Sequence, residues 1–324
     1  MDEVLGGIPE KLLAYLRKEF QDPGLAYSAR PSPITGGYET SIYGFQLTGA
    51  TEELSGPLIL RLYSEKTPPS QCLFEASVQN AVTDEGYPAP RVHLTCTDTV
   101  FLGGVFMVME RMPGVPMLEM KENLPEALAE AHVSLHRIDP NPLVRKLESM
   151  GITSPTYSRD RTLSRVRRLI DDRGFDWLDG GFRWLWDNIL PDPVDPVICH
   201  GDFHPLNILM EGDRVSGVLD WPGFRVWDAA YDVACTKVIC AQAAPPLLPD
   251  LDVDFHEFTD RYFNLYQLKN PLASENVEYY EAHRCFWGIL EGRRGHMALS
   301  HPRIQTNFSD RFEEVTGIEI ELPS

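Results

Sequence analysis

The sequence lacks paired-cysteine motifs, long apolar runs and internal repeats. Its 6 cysteines stand at positions 72, 96, 199, 235, 240 and 285, without C-x-x-C spacing, which favours reduced thiols in a cytoplasmic protein over a disulfide scaffold. No apolar run approaches the roughly 20 residues of a membrane helix. The first residues, Met-Asp-Glu-Val-Leu, are acidic where a signal peptide would be basic. We therefore expect a cytoplasmic protein.

Basic residues are scarce in this chain of 324 residues. Lys and Arg number 29 against 48 Asp and Glu, which gives a formal net charge of −19. An acidic surface repels nucleic acids and anionic membranes and attracts cationic small molecules. The same charge also favours solubility without serving any ligand, so both interpretations stay open. We expect no nucleic-acid partner and no membrane partner.

Common hydrolase motifs are also missing from the sequence. No G-x-S-x-G segment is present. His256-Glu257 begins like the helix of a zinc protease, but Asp260 stands where that motif requires a second histidine. These two hydrolase classes are therefore excluded.

The most informative segment is Val-Ile-Cys-His-Gly-Asp-Phe-His-Pro-Leu-Asn-Ile-Leu at 197–209, followed by Val-Leu-Asp-Trp at 218–221. It places Asn207 five residues after Asp202, and Asp220 thirteen residues after Asn207. These offsets match the catalytic half of the kinase fold. Asp202 is the predicted base, or the group that orients a hydroxyl nucleophile, and Asn207 and Asp220 offer oxygen ligands suited to Mg²⁺. Each residue alone would be typical of a turn or a cap, but the register of all three indicates a kinase.

His204 is a second candidate catalytic residue. Many kinases carry at the equivalent loop position a Lys that touches the transferring phosphate, so a phosphate contact and a purely structural role both remain open. A competing hypothesis combines Cys199, His200, Asp202 and His204 in a metal cluster, because alternating residues of an extended segment point to one side. That cluster lacks the distant third or fourth ligand of zinc sites.

The chain is predicted to be an α+β protein with two lobes. A Pro/Gly-rich break at 111–116 is the candidate hinge, which divides an N-terminal nucleotide-binding lobe, 1–110, from a C-terminal catalytic and substrate-binding lobe, 117–324. The first lobe is predicted to contain, in order, a helix, two strands, a helix and two strands, at 9–20, 41–47, 58–63, 69–85, 91–97 and 104–110. The second is predicted to be mainly helical, at 124–138, 161–173, 177–190, 255–266 and 276–299, with a strand at 196–199 and a hairpin at 208–220.

The catalytic segment resembles that of one group of small-molecule kinases. Gly201 stands where protein kinases place an Arg, and Asp220-Trp221 is followed by Pro-Gly-Phe rather than by a long activation segment. The run at 227–234 is similar to an Asp-Pro-x-x-Asp-Leu-Ala element, in which Asp232 would be a buried carboxylate that accepts hydrogen bonds from the catalytic loop. These features resemble the aminoglycoside phosphotransferase and choline kinase family, which has a protein-kinase-like fold.

The resemblance extends from Gly36 to about Gly295 and implies ATP and Mg²⁺ as cofactors. The segment 36–43 is similar to the Gly-Gly phosphate-side loop of the family, which makes Thr40 and Ser41 candidate phosphate ligands. Arg61 stands where many relatives carry a Lys, and Glu75 on the following helix is expected to pair with it.

The adenine is expected to bind main-chain groups of Glu110 and Met112, and His136 is expected to be structural. The predicted activity is transfer of the γ-phosphate of ATP to a hydroxyl of a small molecule, such as an aminoglycoside, another antibiotic, or a choline- or homoserine-like metabolite. The alternative is a catalytically silent nucleotide-binding or regulatory protein of the same fold.

The acceptor and the oligomeric state are not determined by the sequence. After residue 240, acidic residues outnumber Lys and Arg, and nine aromatic residues lie between 255 and 287. Carboxylates in a cleft would suit a cationic acceptor, and aromatic side chains would suit an apolar or choline-like one. Both patterns are also typical of ordinary helix surface and core.

Overall fold

The structure of the chain is a computed structural model that describes residues 7–34, 40–120, 123–151 and 159–323. The contacts divide the chain into two units. The first comprises Met1–Gly114 with Ser216–Pro222, and the second comprises Val115–Val215 with Gly223–Ser324. The sequence-based boundaries grouped Ser216–Pro222 with residues 117–324, whereas its contacts assign it to the first unit.

The first unit is built on an antiparallel sheet of five strands. One helix precedes the first strand in the chain, and a second helix lies in the sequence between the third and fourth strands. Helix α1, Ile8–Glu19, opens the chain, and helix α2, Pro69–Asp84, follows the third strand. The strands have the order β1-β2-β3-β5-β4. Their bounds are β1 Ala26–Ile34, β2 Thr40–Thr48, β3 Pro57–Tyr63, β4 Val92–Cys96 and β5 Phe106–Glu110.

Both faces of this sheet are covered, which explains why β3 is a nearly continuous apolar run. Leu58 and Leu60 pack into the cluster that contains α1, whereas Ile59 packs into the cluster that contains Cys72 and Ala76 of α2. Successive side chains of a strand point to opposite faces. A strand in the middle of a covered sheet therefore buries every side chain in turn.

Strand β1 was not predicted, because its sequence contains Pro31 and Pro33. Proline has no backbone N–H to donate, and it is tolerated in sheets mainly on edge strands. Strand β1 lies at the edge, next to β2 alone, and its register shifts between Ala29 and Ser32. The first unit thus has three strands before α2 instead of the expected two.

The second unit is mainly helical, as expected, and its helices α4, α7, α8 and α11 were not predicted. Its short strands pair in antiparallel fashion, β7 with β10 and β6 with β8, and strand β9 begins in the second unit and ends in the first. The strands are β6 Val115–Pro116, β7 Val197–Cys199, β8 Ile208–Glu211, β9 Arg214–Val218 and β10 Arg225–Trp227. The helices are α3 Leu124–His136, α4 Pro140–Ser149, α5 Arg159–Arg173, α6 Asp179–Asp187, α7 Ala229–Val238, α8 Ala244–Leu247, α9 Phe255–Lys269, α10 Ser274–Arg293 and α11 Pro302–Thr316.

Helix α10 is the centre of the second unit, because it packs against both α7 and α11. Most of the aromatic residues after position 240 belong to the core of this unit and are buried, namely Phe255, Phe258, Tyr262, Tyr266, Tyr279, Tyr280 and Phe286. In the part of the chain that the structure describes, no helix is both long enough and apolar enough to cross a lipid bilayer.

The packing of α10 against α11 depends on a glycine. A Cβ atom at Gly288 would overlap the ring of Phe308, which is fully buried. We expect Gly288→Ala to lower the free energy of unfolding by about 1–3 kcal/mol, because the overlap outweighs the better helix propensity of alanine. Urea unfolding measures this value. Gly56→Ala is the control, since a Cβ atom there meets nothing within 4 Å, and equal stability of the two variants would contradict the packing described.

Candidate active site

The loop that carries Asp202 begins at the end of β7 with a turn that only glycine fits. Strand β7 pairs with β10, and Cys199 lies opposite Arg225. Gly201 has a φ of +80°, and a Cβ atom there would overlap the carbonyl oxygen of Gly223. In the sequence, Gly201 is one of the residues that carry the resemblance to the family. The structure adds a steric reason for glycine at this position.

The carboxylate of Asp232 in α7 binds the backbone of this loop. Its Oδ1 accepts a hydrogen bond from the backbone N–H of Gly201 at 2.7 Å, and its Oδ2 accepts one from the N–H of His200 at 2.7 Å. The hydroxyl of Thr236, one turn further along α7, donates to the carbonyl of Phe203 at 2.7 Å. One helix therefore fixes three points of the loop backbone, and two of them are bound by Asp232, as the resemblance implied.

Two histidines of α3 complete the surroundings of Asp232. The Nε2 atoms of His132 and His136 lie 3.0 and 3.2 Å from its Oδ2, and their Nδ1 atoms each lie 2.6 Å from a tyrosine hydroxyl, of Tyr262 and Tyr266 respectively. Because Nε2 faces a carboxylate, it carries the proton, and Nδ1 accepts from the tyrosine. Burial lowers the pKa of His132 to about 4. Burial alone would raise the pKa of Asp232, but the two histidines hold it well below its usual range.

In the described part of the chain, one group of side chains has the spacing of metal ligands. It consists of the same three residues, His132, His136 and Asp232. Their ligand atoms are already joined by hydrogen bonds, so the group is a buried hydrogen-bond network. The competing cluster of Cys199 with the loop histidines is not brought together among the described residues. The thiol of Cys199 instead faces the carbonyls of Val197 and Asp228.

Asp202 presents a partly exposed carboxylate that its neighbours orient. Its side chain is 38% exposed, and its Oδ2 accepts a hydrogen bond from Asn207 Nδ2 at 3.1 Å and lies 3.3 Å from His204 Nε2. Its backbone N–H donates to His200 Nδ1 at 3.2 Å. Burial raises the pKa of Asp202, but the charge and hydrogen bond of His204, together with His200 and Arg284, lower it below its ordinary value. The carboxylate is therefore ionised at neutral pH.

Asn207 lies at the end of a short 3-10 turn, Pro205–Asn207, that follows the loop. Its Nδ2 also donates to the carbonyl of Asp202 at 2.9 Å. Because the amide nitrogen is directed at Asp202, the amide oxygen is left to accept from another group or to bind a cation. Asn207 thus combines the orientation of Asp202 with an oxygen suited to Mg²⁺.

Asp220 lies in the first unit together with Arg61 and Glu75. Arg61 Nη2 donates to Asp220 Oδ1 at 2.8 Å, and Arg61 Nη1 lies 3.5 Å from Glu75 Oε2. Glu75 is fully buried and also accepts from the hydroxyl of Tyr63 at 2.7 Å. Burial alone would lower the pKa of Arg61, but Asp220, and to a smaller extent Tyr63 and Glu75, raise it. The expected Arg61–Glu75 pair is present, and Asp220 extends it.

Asp220 has a backbone conformation that few residues with a side chain adopt. Its φ is +67°, in the left-handed region that Asp tolerates better than most residues. The following Trp221 is fully buried and donates from Nε1 to the carbonyl of Val218 at 3.0 Å. Val218 N–H in turn donates to the carbonyl of Pro88 at 2.7 Å. These contacts hold the carboxylate of Asp220 beside Arg61, where its side chain is 43% exposed.

The remaining candidate nucleotide ligands lie at the ends of strands in the first unit. Thr40 and Ser41 begin β2 opposite Tyr63 and Leu62 of β3, and Ser41 is exposed. The preceding Gly36-Gly37 of the expected phosphate loop lies outside the described residues. Their roles stay predictions.

Glu110 ends β5, and Met112 follows it in the candidate hinge. The N–H of Glu110 donates to the carbonyl of Arg91 at 2.9 Å, and the N–H of Arg111 donates to that of Pro57 at 3.0 Å. Among the described residues, no backbone hydrogen bond involves the N–H of Met112. Binding of adenine by the main chain here stays a prediction.

Comparison with known proteins assigns the family. The model of the phosphotransferase enzyme family matches residues 31–265, and the chain belongs to this family. Aminoglycoside 3'-phosphotransferase from Escherichia coli is 24% identical over 274 residues, which are 71% of this chain and 95% of that protein. The crystal structure of a thermostable mutant of aminoglycoside phosphotransferase APH(4)-Ia is similar with a TM-score of 0.64 and 14% identity, covering 94% of this chain and 100% of that one.

A further relative is much longer than this chain. Acyl-CoA dehydrogenase family member 11 from Gallus gallus is 30% identical over 178 residues, which are 48% of this chain. The chain spans about a fifth of that relative, since the match covers 22% of it. The comparisons confirm the predicted α+β kinase-like fold, the aminoglycoside phosphotransferase-like family and, at the level of the family, the class of small-molecule kinases.

The histidine–tyrosine pairs next to Asp232 were not predicted from the sequence. A signal was present, because His132 and His136 are four residues apart, and so are Tyr262 and Tyr266. Residues four apart share one face of a helix. Two such faces meet where α3 packs against α9, but the sequence does not show which helices pack together.

The pKa of His132 makes the stability depend on pH. An unfolded histidine has a pKa of about 6.5, whereas burial lowers the pKa of His132 to about 4 in the folded chain. The unfolded state therefore binds more protons between these values, so stability is full above about pH 6.5 and falls as the pH decreases toward 4. His132 should contribute a loss of about 2 kcal/mol between pH 7.5 and pH 5.

Urea unfolding of the wild type and His132→Gln at both pH values measures this contribution. The variant is expected to be less stable at neutral pH, because its hydrogen bonds to Asp232 and Tyr262 are lost, but to lose less stability on acidification. An equal loss in both proteins would show that His132 binds protons equally in the folded and unfolded states, which contradicts the lowered pKa.

Proposed function

We propose that the chain is an ATP-dependent kinase that transfers the γ-phosphate to a hydroxyl of a small molecule. The observation that carries the proposal is the Asp202–Asn207 pair, in which an ionised, partly exposed carboxylate is oriented by an amide whose oxygen remains free for a cation. The family assignment supports the same reaction class. Its relatives include aminoglycoside 3'-phosphotransferases, which makes hydroxylated antibiotics one candidate acceptor group and choline- or homoserine-like metabolites another.

Asp202 would accept a hydrogen bond from the acceptor hydroxyl and direct its lone pair toward phosphorus. Phosphoryl transfer passes through a loose transition state, so positioning contributes more than strong basicity. The lowered pKa of Asp202 is consistent with this role, because it keeps the carboxylate ionised as an acceptor. The new O–P bond would form as the bond between the γ-phosphorus and the β-phosphate oxygen breaks and ADP leaves, and the hydroxyl proton would pass to Asp202. His204, 3.3 Å from Asp202, is proposed to contact the transferred phosphate.

Asn207 and Asp220 are the proposed magnesium ligands, and both fit the ion chemically. Mg²⁺ prefers oxygen ligands and is usually bound by one or two side chains together with phosphates and waters. The two residues offer an amide oxygen and a partly exposed carboxylate oxygen, respectively. Magnesium, when bound, neutralises charge on the phosphate oxygens. This assignment rests on the spacing in the sequence and on the chemistry of each side chain in its own unit.

Arg61, Thr40, Ser41, Glu110 and Met112 are proposed to bind the nucleotide. Arg61 lies beside Asp220 and Glu75, so its charge is balanced before any phosphate arrives. We infer that Arg61 orients the carboxylate of Asp220 as well as contacting phosphate oxygens.

Removal of the Asp202 carboxylate tests the proposal. Asp202→Ala is expected to lower kcat for ATP consumption with any acceptor by about 100-fold or more, because the hydroxyl loses its orienting group. Binding of ATP, measured by calorimetry, should change little. Asp213→Ala is the matched control, since Asp213 is an exposed acid in the hairpin turn between β8 and β9 and should retain wild-type turnover.

A second substitution separates transfer from nucleotide binding alone. Asp220→Ala should abolish ATP consumption, because a magnesium ligand is lost.

Wild-type turnover in Asp202→Ala would disprove the proposed mechanism. If the wild-type protein binds ATP and never consumes it, with all the acceptors supplied, the chain is a nucleotide-binding protein of kinase fold.

A further inference from the structure

A cleft in the second unit concentrates positive charge in an otherwise acidic chain. It is formed by helices α5 and α6 and has a volume of about 990 Å³. The described residues that line it include four arginines, Arg165, Arg167, Arg168 and Arg183, and one acidic residue, Asp179. This arginine cleft therefore has an excess of three positive charges, whereas the whole chain has a formal net charge of −19.

One of the four arginines is neutralised by contacts within the fold. Arg167 Nη1 donates to Asp179 Oδ1 at 2.6 Å, and Arg167 Nε donates to Asp171 Oδ1 at 3.0 Å. The guanidinium also lies 5.2 Å from the centre of the Phe182 ring. These contacts join α5 to α6 and use the acidic residue of the cleft, so Arg167 and Asp179 have a structural role.

The other three arginines have no such partner. Among the described residues, Arg165, Arg168 and Arg183 form no ion pair and no hydrogen bond, and all three are exposed. Asp172 and Asp187 lie one helical turn after Arg168 and Arg183, but neither forms an ion pair with them. Arg165 and Arg168 are neighbours on the surface of α5, where like charges repel each other. A bound anion would offset this repulsion.

The core of the second unit does not account for these arginines. Helix α5 contributes Leu163, Val166 and Ile170 to the core, each at most 2% exposed. Arg165 and Arg168 occupy other positions of the helix and line the cleft. On an ordinary solvated helix face they would point into open water, whereas here arginines from two helices line one concave surface.

A flat apolar surface lies beside these charges. Trp186 lines the cleft and is 45% exposed, and its ring lies 6.1 Å from that of Phe182 at an interplanar angle of 33°. Trp184, two positions before it, instead stacks on the buried Tyr279 at 6.0 Å. An exposed indole next to cations is suited to stacking on a flat ring of a ligand.

The size and the charge of the cleft favour a small anion over a macromolecule. A volume of about 990 Å³ is at the upper end of the range for small-molecule sites. A nucleic acid or an anionic membrane would also meet the 48 acidic residues of the chain and be repelled. A small anion responds mainly to charges within the Debye length, about 8 Å at physiological salt.

We propose that the arginine cleft binds a nucleotide with two or more phosphate groups, at a site separate from the one proposed for ATP. Arg165, Arg168 and Arg183 would bind the phosphate oxygens through charge-assisted hydrogen bonds, and Trp186 would stack on the base. The cleft belongs to the second unit, whereas the residues proposed to bind the ATP of the transfer reaction belong to the first. The inference therefore goes beyond the proposed function and does not depend on it.

Binding to the cleft is tested with ADP and with inorganic pyrophosphate, which carries phosphate groups without a base. Calorimetry is performed at low salt with EDTA, so that magnesium neutralises no phosphate. A cleft variant combines Arg165→Gln, Arg168→Gln and Arg183→Gln. Trp186→Ala is the second variant, since it removes the indole and leaves the three charges.

A charge-matched control separates the cleft from the net charge of the chain. It combines Arg145→Gln, Arg173→Gln and Arg303→Gln. These three arginines are exposed, form no ion pair among the described residues and do not line the cleft. Arg173 is on the same helix as Arg165 and Arg168.

The cleft variant is expected to bind ADP and pyrophosphate at least about 100-fold more weakly than the wild type, because several charge-assisted hydrogen bonds are lost. The charge-matched control should bind both as the wild type does. Trp186→Ala should weaken the binding of ADP about 10-fold, the effect of one stacked ring, and that of pyrophosphate much less. The unfolding midpoint of the unliganded cleft variant should equal or exceed that of the wild type, because repulsion is removed.

Four results would overturn the inference. They are wild-type binding of ADP by the cleft variant, no binding of ADP by the wild type in EDTA, an equal loss in the charge-matched control, and unchanged binding of ADP by Trp186→Ala. A lower unfolding midpoint in the cleft variant would assign the three arginines to the fold and would also overturn it.

ATP consumption with magnesium separates the cleft from the proposed active site. If the wild type consumes ATP, the cleft variant should retain this activity, and its loss would overturn a separate site. If the wild type binds ADP in the cleft and never consumes ATP, the inference stands and the proposed transfer fails.

Discussion

The carboxylate of Asp232 is the interaction on which the catalytic loop depends. It is fully buried and accepts from the N–H groups of His200 and Gly201 and from the imidazoles of His132 and His136. A buried charge is tolerated only when hydrogen bonds replace its hydration, and four donors do so here. Since the loop between β7 and the 3-10 turn has no regular secondary structure, these bonds set the course of its backbone and hence the position of Asp202.

Much of the fold followed from periodicity in the sequence, and most of the missed elements contain proline. The four predicted strands and both helices of the first unit are present, because apolar residues alternate or recur at helical spacing there. Strand β1 and helices α4, α8 and α11 were missed where proline breaks such patterns, and α7 was missed although it contains no proline. Proline is tolerated on an edge strand and in the first turn of a helix, and Pro140 and Pro302 each begin a helix. Only the packed structure distinguishes these prolines from loop prolines.

Asp202 and Asn207, which were predicted from their offset of five positions, lie in hydrogen-bond contact on one loop. The Arg61–Glu75 pair, predicted from the resemblance, also lies in contact. Residues that act on the loop from other helices were not predictable, because His132 and Tyr262 are separated by 130 positions.

The most direct test of the role of Asp232 is amide hydrogen exchange in the peptide Val197–Asn207, compared between the wild type and Asp232→Asn. Asparagine keeps the shape of the side chain but has one acceptor oxygen where the carboxylate has two. The account predicts slow exchange at His200 and Gly201 in the wild type and much faster exchange in the variant, with unchanged exchange in β3 as an internal control. Equal protection of the loop in both proteins would contradict it.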